Sequence, residues 1–199
     1  MLQQVQTVIM DSYRRSEVNT MAKNVLIITT SLRNNSNSDK LAEAFAKGAG
    51  EAGNNVEVVP LKGKQIAFCR GCFACSTTGS CVIKDDANEI TEKIYNADVV
   101  VWATPIYYYE MCGQMKTMID RANSLYPRDY KFREVYLLSV AADDGDYVDQ
   151  HVAGGVQGWV DCFERAEFKG RVFAGGVNDP GSIEGHKAMD EAYEMGRSV

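Results

Sequence analysis

The chain predicts a doubly wound α/β fold, a five-stranded parallel sheet with helices on both faces. Two observations carry this. Runs of strand-forming residues alternate with segments of helical periodicity throughout the chain after Lys23, and such alternation builds parallel βαβ units. The leading run is apolar at consecutive positions rather than at every second one, the mark of a strand buried on both faces.

The elements follow in order. Asn24 to Thr30 is the first strand, with Val25-Leu26-Ile27-Ile28 at its centre. Asn37 to Glu51 places Leu41, Ala42, Phe45, Ala46 and Ala49 on one helical face, with Gly53 positioned to end the helix. Val56 to Leu61 is the second strand, and Pro60 marks it as an edge. After a cysteine-rich loop, Asp85-Asp86 can cap a helix carrying Ile90 and Ile94. Asp98 to Thr104 is strand three, followed by a helix from Gly113 to Asn123. Glu134 to Ala141 is strand four. A long helix over Val148 to Ala166 contains the loosening pair Gly154-Gly155. Phe168 to Val177 is strand five, and Ile183 to Met195 a last helix. Met115 and Met118 fit core packing.

The formal net charge of -6 disfavours a nucleic-acid partner. No apolar run reaches the ~18 residues of a membrane span. Met1 to Thr20 is polar, carries Arg14, Arg15 and Glu17, and lacks the apolar segment of a signal peptide. A cytoplasmic protein is expected. Met21 would serve equally as a start, so residues 1–22 read as an extension or partner-binding arm and 23–199 as a single domain.

Ligands of such sheets sit beyond the carboxyl ends of the strands. There, after strand one, the chain reads Ser31-Leu32-Arg33-Asn34-Asn35-Ser36-Asn37-Ser38 and runs straight into a helix. Backbone N–H groups and the helix dipole favour an anion at that point, with serine hydroxyls and Arg33 as further donors. The turn holds no glycine, so a monophosphate fits better than a pyrophosphate pressed onto a glycine loop. After strand three, Thr104-Pro105-Ile106-Tyr107-Tyr108-Tyr109 supplies walls for a flat, largely apolar ring. A core edge or subunit interface would use the same tyrosines.

Cys69, Cys72, Cys75 and Cys81 crowd the loop between strand two and the following helix. Dense thiols in a chain without a secretion signal suggest a metal, a cluster or redox chemistry rather than a disulfide framework. Small apolar filling is the plain alternative.

Ser31-Leu32-Arg33, Ser36-Asn37-Ser38, Thr104-Pro105-Ile106-Tyr107 and Gly113-Gln114-Met115-Lys116 with Ile119-Asp120-Arg121 together resemble the NADPH-dependent FMN reductase family, of flavodoxin-like fold. The resemblance implies bound FMN. Ser31, Arg33, Ser36, Asn37 and Ser38 would lie on its phosphate side, and Thr104, Pro105, Ile106, Tyr107 and Tyr108 on its ring side. NAD(P)H would give hydride to the flavin N5, and a small-molecule or protein acceptor would take the electrons. Relatives of this kind imply a homodimer or homotetramer. The C-x2-C-x2-C-x5-C spacing with Val82-Ile83-Lys84-Asp85-Asp86 is similar to the iron–sulfur flavoproteins, which implies a [4Fe–4S] cluster on the cysteines. Empty thiols and a tetrahedral zinc site remain alternatives. Arg70 and Lys84 could offset thiolate charge. An electron carrier using cluster and flavin is the alternative function, and a thiol redox sensor a third.

Asp143, Asp144 and Asp146 follow strand four, where the family usually offers small or hydroxyl residues. A capping role for Asp144 or Asp146 is expected. His151 and His186 read as surface or helix-end residues, Cys112 as a thiol without a base, and Cys162 as packing beside Trp159 and Phe163.

Overall fold

A computed structural model describes residues 21–199, so the extension read over residues 1–22 lies almost wholly outside the described residues. Five parallel strands stand in the order β2-β1-β3-β5-β6: β1 Asn24–Thr29, β2 Asn55–Pro60, β3 Val99–Tyr107, β5 Glu134–Val140 and β6 Glu167–Ala174. A two-residue strand, β4 Glu110–Met111, pairs antiparallel with the end of β3. The helices are α1 Asn37–Glu51, α2 Ala74–Thr78, α3 Asp86–Asn96, α4 Gly113–Arg121, α5 Gln150–Val160 and α6 Lys187–Arg197.

The expected fold is present, and strand alternation explains it. Val25, Ile27, Val99, Val101 and Leu138 face α1 and α6, while Leu26, Ile28, Val100, Trp102 and Leu137 face the opposite core. Both layers are apolar because both faces are covered. Pro60 does sit on an edge strand. Gly53 takes a φ of 95° just beyond the end of α1, a conformation that favours glycine. Helices α1 and α6 meet backbone to backbone. A Cβ on Gly196 would stand 2.1 Å from the Phe45 carbonyl oxygen, and one on Gly48 the same distance from that of Tyr193. This contact fixes the helix that carries the first polar loop.

Four expectations change. The helix expected over 148–166 is only Gln150–Val160, with turns at both ends. The last helix opens at Lys187 rather than Ile183, where His186 Nδ1 accepts from the Ala188 amide 3.1 Å away. Neither Asp144 nor Asp146 caps α5; Asp149 occupies that place without a side-chain capping bond. Cys162 is exposed beyond the helix rather than packed within it. Met115 and Met118 are fully buried, as expected of core residues. No helix among the described residues is long and apolar enough to cross a membrane.

Candidate functional site

The chain order reverses between β1 and β3, and the polar loops meet at the carboxyl ends of those strands. One cleft of about 140 Å³ is lined there by Ser31, Arg33, Ser36 and Asn37 after β1 and by Pro105, Ile106 and Tyr107 at the end of β3. Two residues missed by sequence reasoning on its far side are Val177 and Asn178 after β6, and Val140 at the end of β5 with Ala141 and Ala142 beyond it complete the wall. A larger hollow, about 540 Å³, lies among Asn24, Asn55, Glu57 and Lys93 at the opposite strand ends. Ligands of open parallel sheets sit at the carboxyl ends, so the smaller cleft is the candidate.

The β1–α1 loop is built for an anion. Ser36 stands at the N-cap of α1, yet its side chain makes no capping bond. Its hydroxyl instead meets that of Ser38 at 2.9 Å, and both residues are buried. The first-turn amides are thus left without the usual side-chain acceptor, and the helix dipole points at the same place. Arg33 closes the loop by donating to the Asn178 carbonyl at 2.8 Å.

Asn37 lines the cleft but turns its side-chain amide to the loop before α6, and Ser38, Thr104 and Tyr108 are not among the lining residues. The Asn37 amide donates to the Asp179 carbonyl at 3.0 Å and its Oδ1 accepts from the Ile183 amide, so this side chain ties down the loop before α6. Thr104 is fully buried and accepts from the Cys112 amide at 3.3 Å, bracing the β3–β4 turn. Tyr108 is 98% exposed. Tyr108 and Tyr109 have φ of 51° and 65°, forming a two-residue hairpin turn in a region that disfavours bulky residues. Two contacts hold this turn: Tyr109 donates its hydroxyl to Asp143 at 3.3 Å, and its ring lies 5.8 Å from that of Tyr147. Tyr147 donates to the same carboxylate at 3.1 Å. The Gly145 amide, together with these hydroxyls, holds the Asp143 carboxyl below the usual range. Behind it, Gly175 leaves room for the Asp144 backbone, whose Cα a Cβ there would approach to 2.5 Å.

The second loop is less buried. Cys69, Cys72, Cys75 and Cys81 line one hollow of about 440 Å³, together with Arg121, Asn123, Tyr126, Trp159 and Cys162. No three Cys, His, Asp or Glu side chains among the described residues are placed to hold a single metal ion. That arrangement supports neither the zinc nor the cluster expectation. The thiols do face donors: Asn123 Nδ2 lies 3.4 Å from the Cys75 sulfur, and the Gly71 amide 3.4 Å from that of Cys69. The group that anchors the loop is Arg121. Its guanidinium meets both Asp85 oxygens, at 2.6 and 2.8 Å, and donates to the carbonyls of Ala67 and Ile83. Asp85 also accepts from the amides of Ala67 and Ala87. Burial pushes the Asp85 carboxyl up, but Arg121 and these amides outweigh it and hold it below the usual range.

Residues 23–153 match the NADPH-dependent FMN reductase family. The chain belongs to that family. Over 94 residues it is 38% identical to an iron–sulfur flavoprotein of Archaeoglobus fulgidus, covering 47% of this chain and 43% of that one. The chain spans about half the length of this and the other iron–sulfur flavoproteins it matches. It is 26% identical over 182 residues to YwqN of Bacillus subtilis, named for an NAD(P)H-dependent FMN-containing oxidoreductase, covering 86% of this chain and 95% of that one. The solved NAD(P)H:quinone oxidoreductase of Methanothermobacter marburgensis superposes with a TM-score of 0.69 at 20% identity, over 89% of this chain and 96% of the other. That likeness establishes the flavodoxin-like fold.

Proposed function

We propose that this protein is an FMN-dependent oxidoreductase that accepts reducing equivalents from NAD(P)H and delivers them to a small-molecule or protein acceptor. The observation that carries this is the uncapped N-terminus of α1, with buried Ser36 and Ser38, opening onto a cleft walled by Pro105, Ile106 and Tyr107. Those residues fit FMN. Ser31, Arg33, Ser36 and the first amides of α1 would hold the phosphate, while Pro105, Ile106 and Tyr107 would border the ring. Bound FMN would supply the hydride and electron chemistry. The chain's part is to hold the phosphate with fixed donors and to shield the ring with Tyr107 and the hairpin. Ala141 and Ala142 give the cleft a wall without charge, and Asp143 is engaged by the two tyrosines beyond them.

A second reading has its own support. Four cysteines line one hollow, thiolates are the ligands a [4Fe–4S] cluster takes, and relatives bear the name iron–sulfur flavoprotein. Cys69, Cys72, Cys75 and Cys81 would hold it, and the protein would then act as an electron carrier between partners. A homodimer or homotetramer is also proposed, since an aromatic hairpin as exposed as Tyr108 suits cover by a second copy. Anaerobic stopped-flow mixing of the flavin-loaded protein with NADH or NADPH separates the two functions. Rapid bleaching of flavin absorbance is expected for the oxidoreductase; reduction by a protein donor alone would replace it with the carrier.

A further inference from the structure

Resting on the FMN reading above, we propose that Asp143, with Tyr109 and Tyr147, is a positioning residue for the flavin ring: its carboxylate ties the β3–β4 hairpin to the loop after β5 and so holds two walls of the cleft in register. One wall is Pro105, Ile106 and Tyr107, and the other ends in Ala141 and Ala142, directly before Asp143. Asp143 itself is outside the lining, so it acts through these neighbours.

The two walls are held unequally. The loop after β5 is fixed from behind. The Ala141 amide donates to the Ala174 carbonyl at 3.0 Å, the Val177 amide donates to the Ala141 carbonyl at 2.9 Å, and the Asp144 backbone lies against Gly175. The hairpin has a shorter hold. Its ladder is two residue pairs long, Ile106 with Met111 and Tyr107 with Glu110. Beyond the ladder, Tyr108 and Tyr109 both take positive φ, and neither is the asparagine or glycine that such a turn selects. Backbone in that region persists where surrounding contacts over-determine it, and it collects at ligand clamps. Here the contacts converge on one carboxylate. The Tyr109 hydroxyl donates to Asp143 Oδ2 at 3.3 Å and the Tyr147 hydroxyl to the same oxygen at 3.1 Å, while the Gly145 amide donates to Oδ1 at 3.0 Å. The Tyr109 and Tyr147 rings lie 5.8 Å apart, so the second tyrosine braces the first. Hydrogen bonds to an ionised acceptor are the stronger kind. Tyr107 stands two residues before the latched tyrosine and lines the cleft. Releasing the latch therefore loosens the wall at the ring, while the phosphate loop stays fixed by the contact of α1 with α6.

The test titrates the full, flavin-free chain with FMN and with riboflavin, as wild type, Asp143→Ala, Asp143→Asn and Tyr147→Phe. Iodide quenching of the bound flavin and urea unfolding of the flavin-free protein are measured beside it. Asp143→Ala should weaken both flavins by the same factor, about three- to tenfold, and give iodide more access to bound FMN. The ratio of FMN to riboflavin affinity should stay that of wild type, because the phosphate donors are untouched, and the urea midpoint should hold. Asp143→Asn keeps an oxygen acceptor for the tyrosines and should restore most of the affinity. Tyr147→Phe loses one of the two hydroxyls and should fall between wild type and Asp143→Ala. A wild type that prefers FMN, beside an Asp143→Ala variant with unchanged flavin affinities and unchanged quenching, would overturn this inference and leave the FMN reading intact. Weakening confined to FMN would also overturn it, since the effect would then lie at the phosphate. A wild type that binds neither flavin would overturn both. Should Asp143→Ala fail to fold, Tyr147→Phe still decides, because unchanged affinity and quenching there contradict the proposal.

Discussion

The β1–α1 loop and the cysteine loop both offer polar groups to a ligand, but the fold holds them in different ways. The first is embedded: Ser31, Ser36, Asn37 and Ser38 are buried, and α1 beneath them is locked to α6 by direct backbone contact. The second is largely exposed and hangs on one buried ion pair, Arg121 with Asp85. Their carboxylates show the same contrast. Asp85 is held below the usual range by its partners, whereas burial raises Asp39 in the first turn of α1, and one oxygen there is buried without a hydrogen-bond partner among the described residues. The difference teaches that packing can preform an anion site, whereas a loop of ligands without a core of its own depends on a few charged bonds.

The largest expected break is at that ion pair. Replacing Arg121 by Ala leaves the largely enclosed Asp85 carboxylate with only the Ala67 and Ala87 amides to receive it, and should cost about 3 kcal/mol in urea unfolding. The same pair predicts acid sensitivity. Because the folded Asp85 carboxyl lies below its unfolded value, its stabilisation is complete above roughly pH 4 and is lost as the pH falls through the folded value. Asp85→Asn should flatten that acid limb of the stability curve. Next comes the anchor of the first loop. Gly196→Ala drives a methyl into the Phe45 carbonyl and should cost about 1–3 kcal/mol, read as a lower urea midpoint. A comparable effect, on binding rather than on folding, is expected at the anion site. Ser36→Ala and Arg33→Ala should each weaken FMN by about 1.5–3 kcal/mol in fluorescence titrations while leaving thermal unfolding of the flavin-free protein nearly unchanged. The smallest concerns Asp39. Its raised carboxyl opposes folding increasingly as pH climbs through the folded value, so Asp39→Asn should stabilise the protein at pH 7 by less than about 1 kcal/mol and make no difference in acid.

The sequence made the sheet legible because burial on both faces leaves consecutive apolar residues, as in Val25 to Ile28 and Val99 to Trp102. It made the anion loop legible because a serine-rich run leading into a helix has a local meaning. Three features had no local signal. Tyr108-Tyr109 contains neither glycine nor asparagine, so its left-handed turn is visible only with Asp143 and Tyr147 beside it. Asn37 lines the cleft, and its ties to the loop before α6 appear only once the chain is folded. Arg121 is far in sequence from its partner Asp85; its one hint was a cation set between Ile119 and Ala122 on an otherwise buried helix end. Helix ends failed where capping was shared among several candidates, as at Asp144, Asp146 and Asp149.

The central claim is that the embedded loop holds the phosphate of FMN. Titrating flavin-free protein with FMN and with unphosphorylated riboflavin, each followed by flavin fluorescence, tests it most directly. The account predicts one FMN per chain and riboflavin binding weaker by at least about tenfold, the loss of one or more charge-assisted hydrogen bonds. Equal affinity for the two flavins would contradict it, whatever the protein reduces.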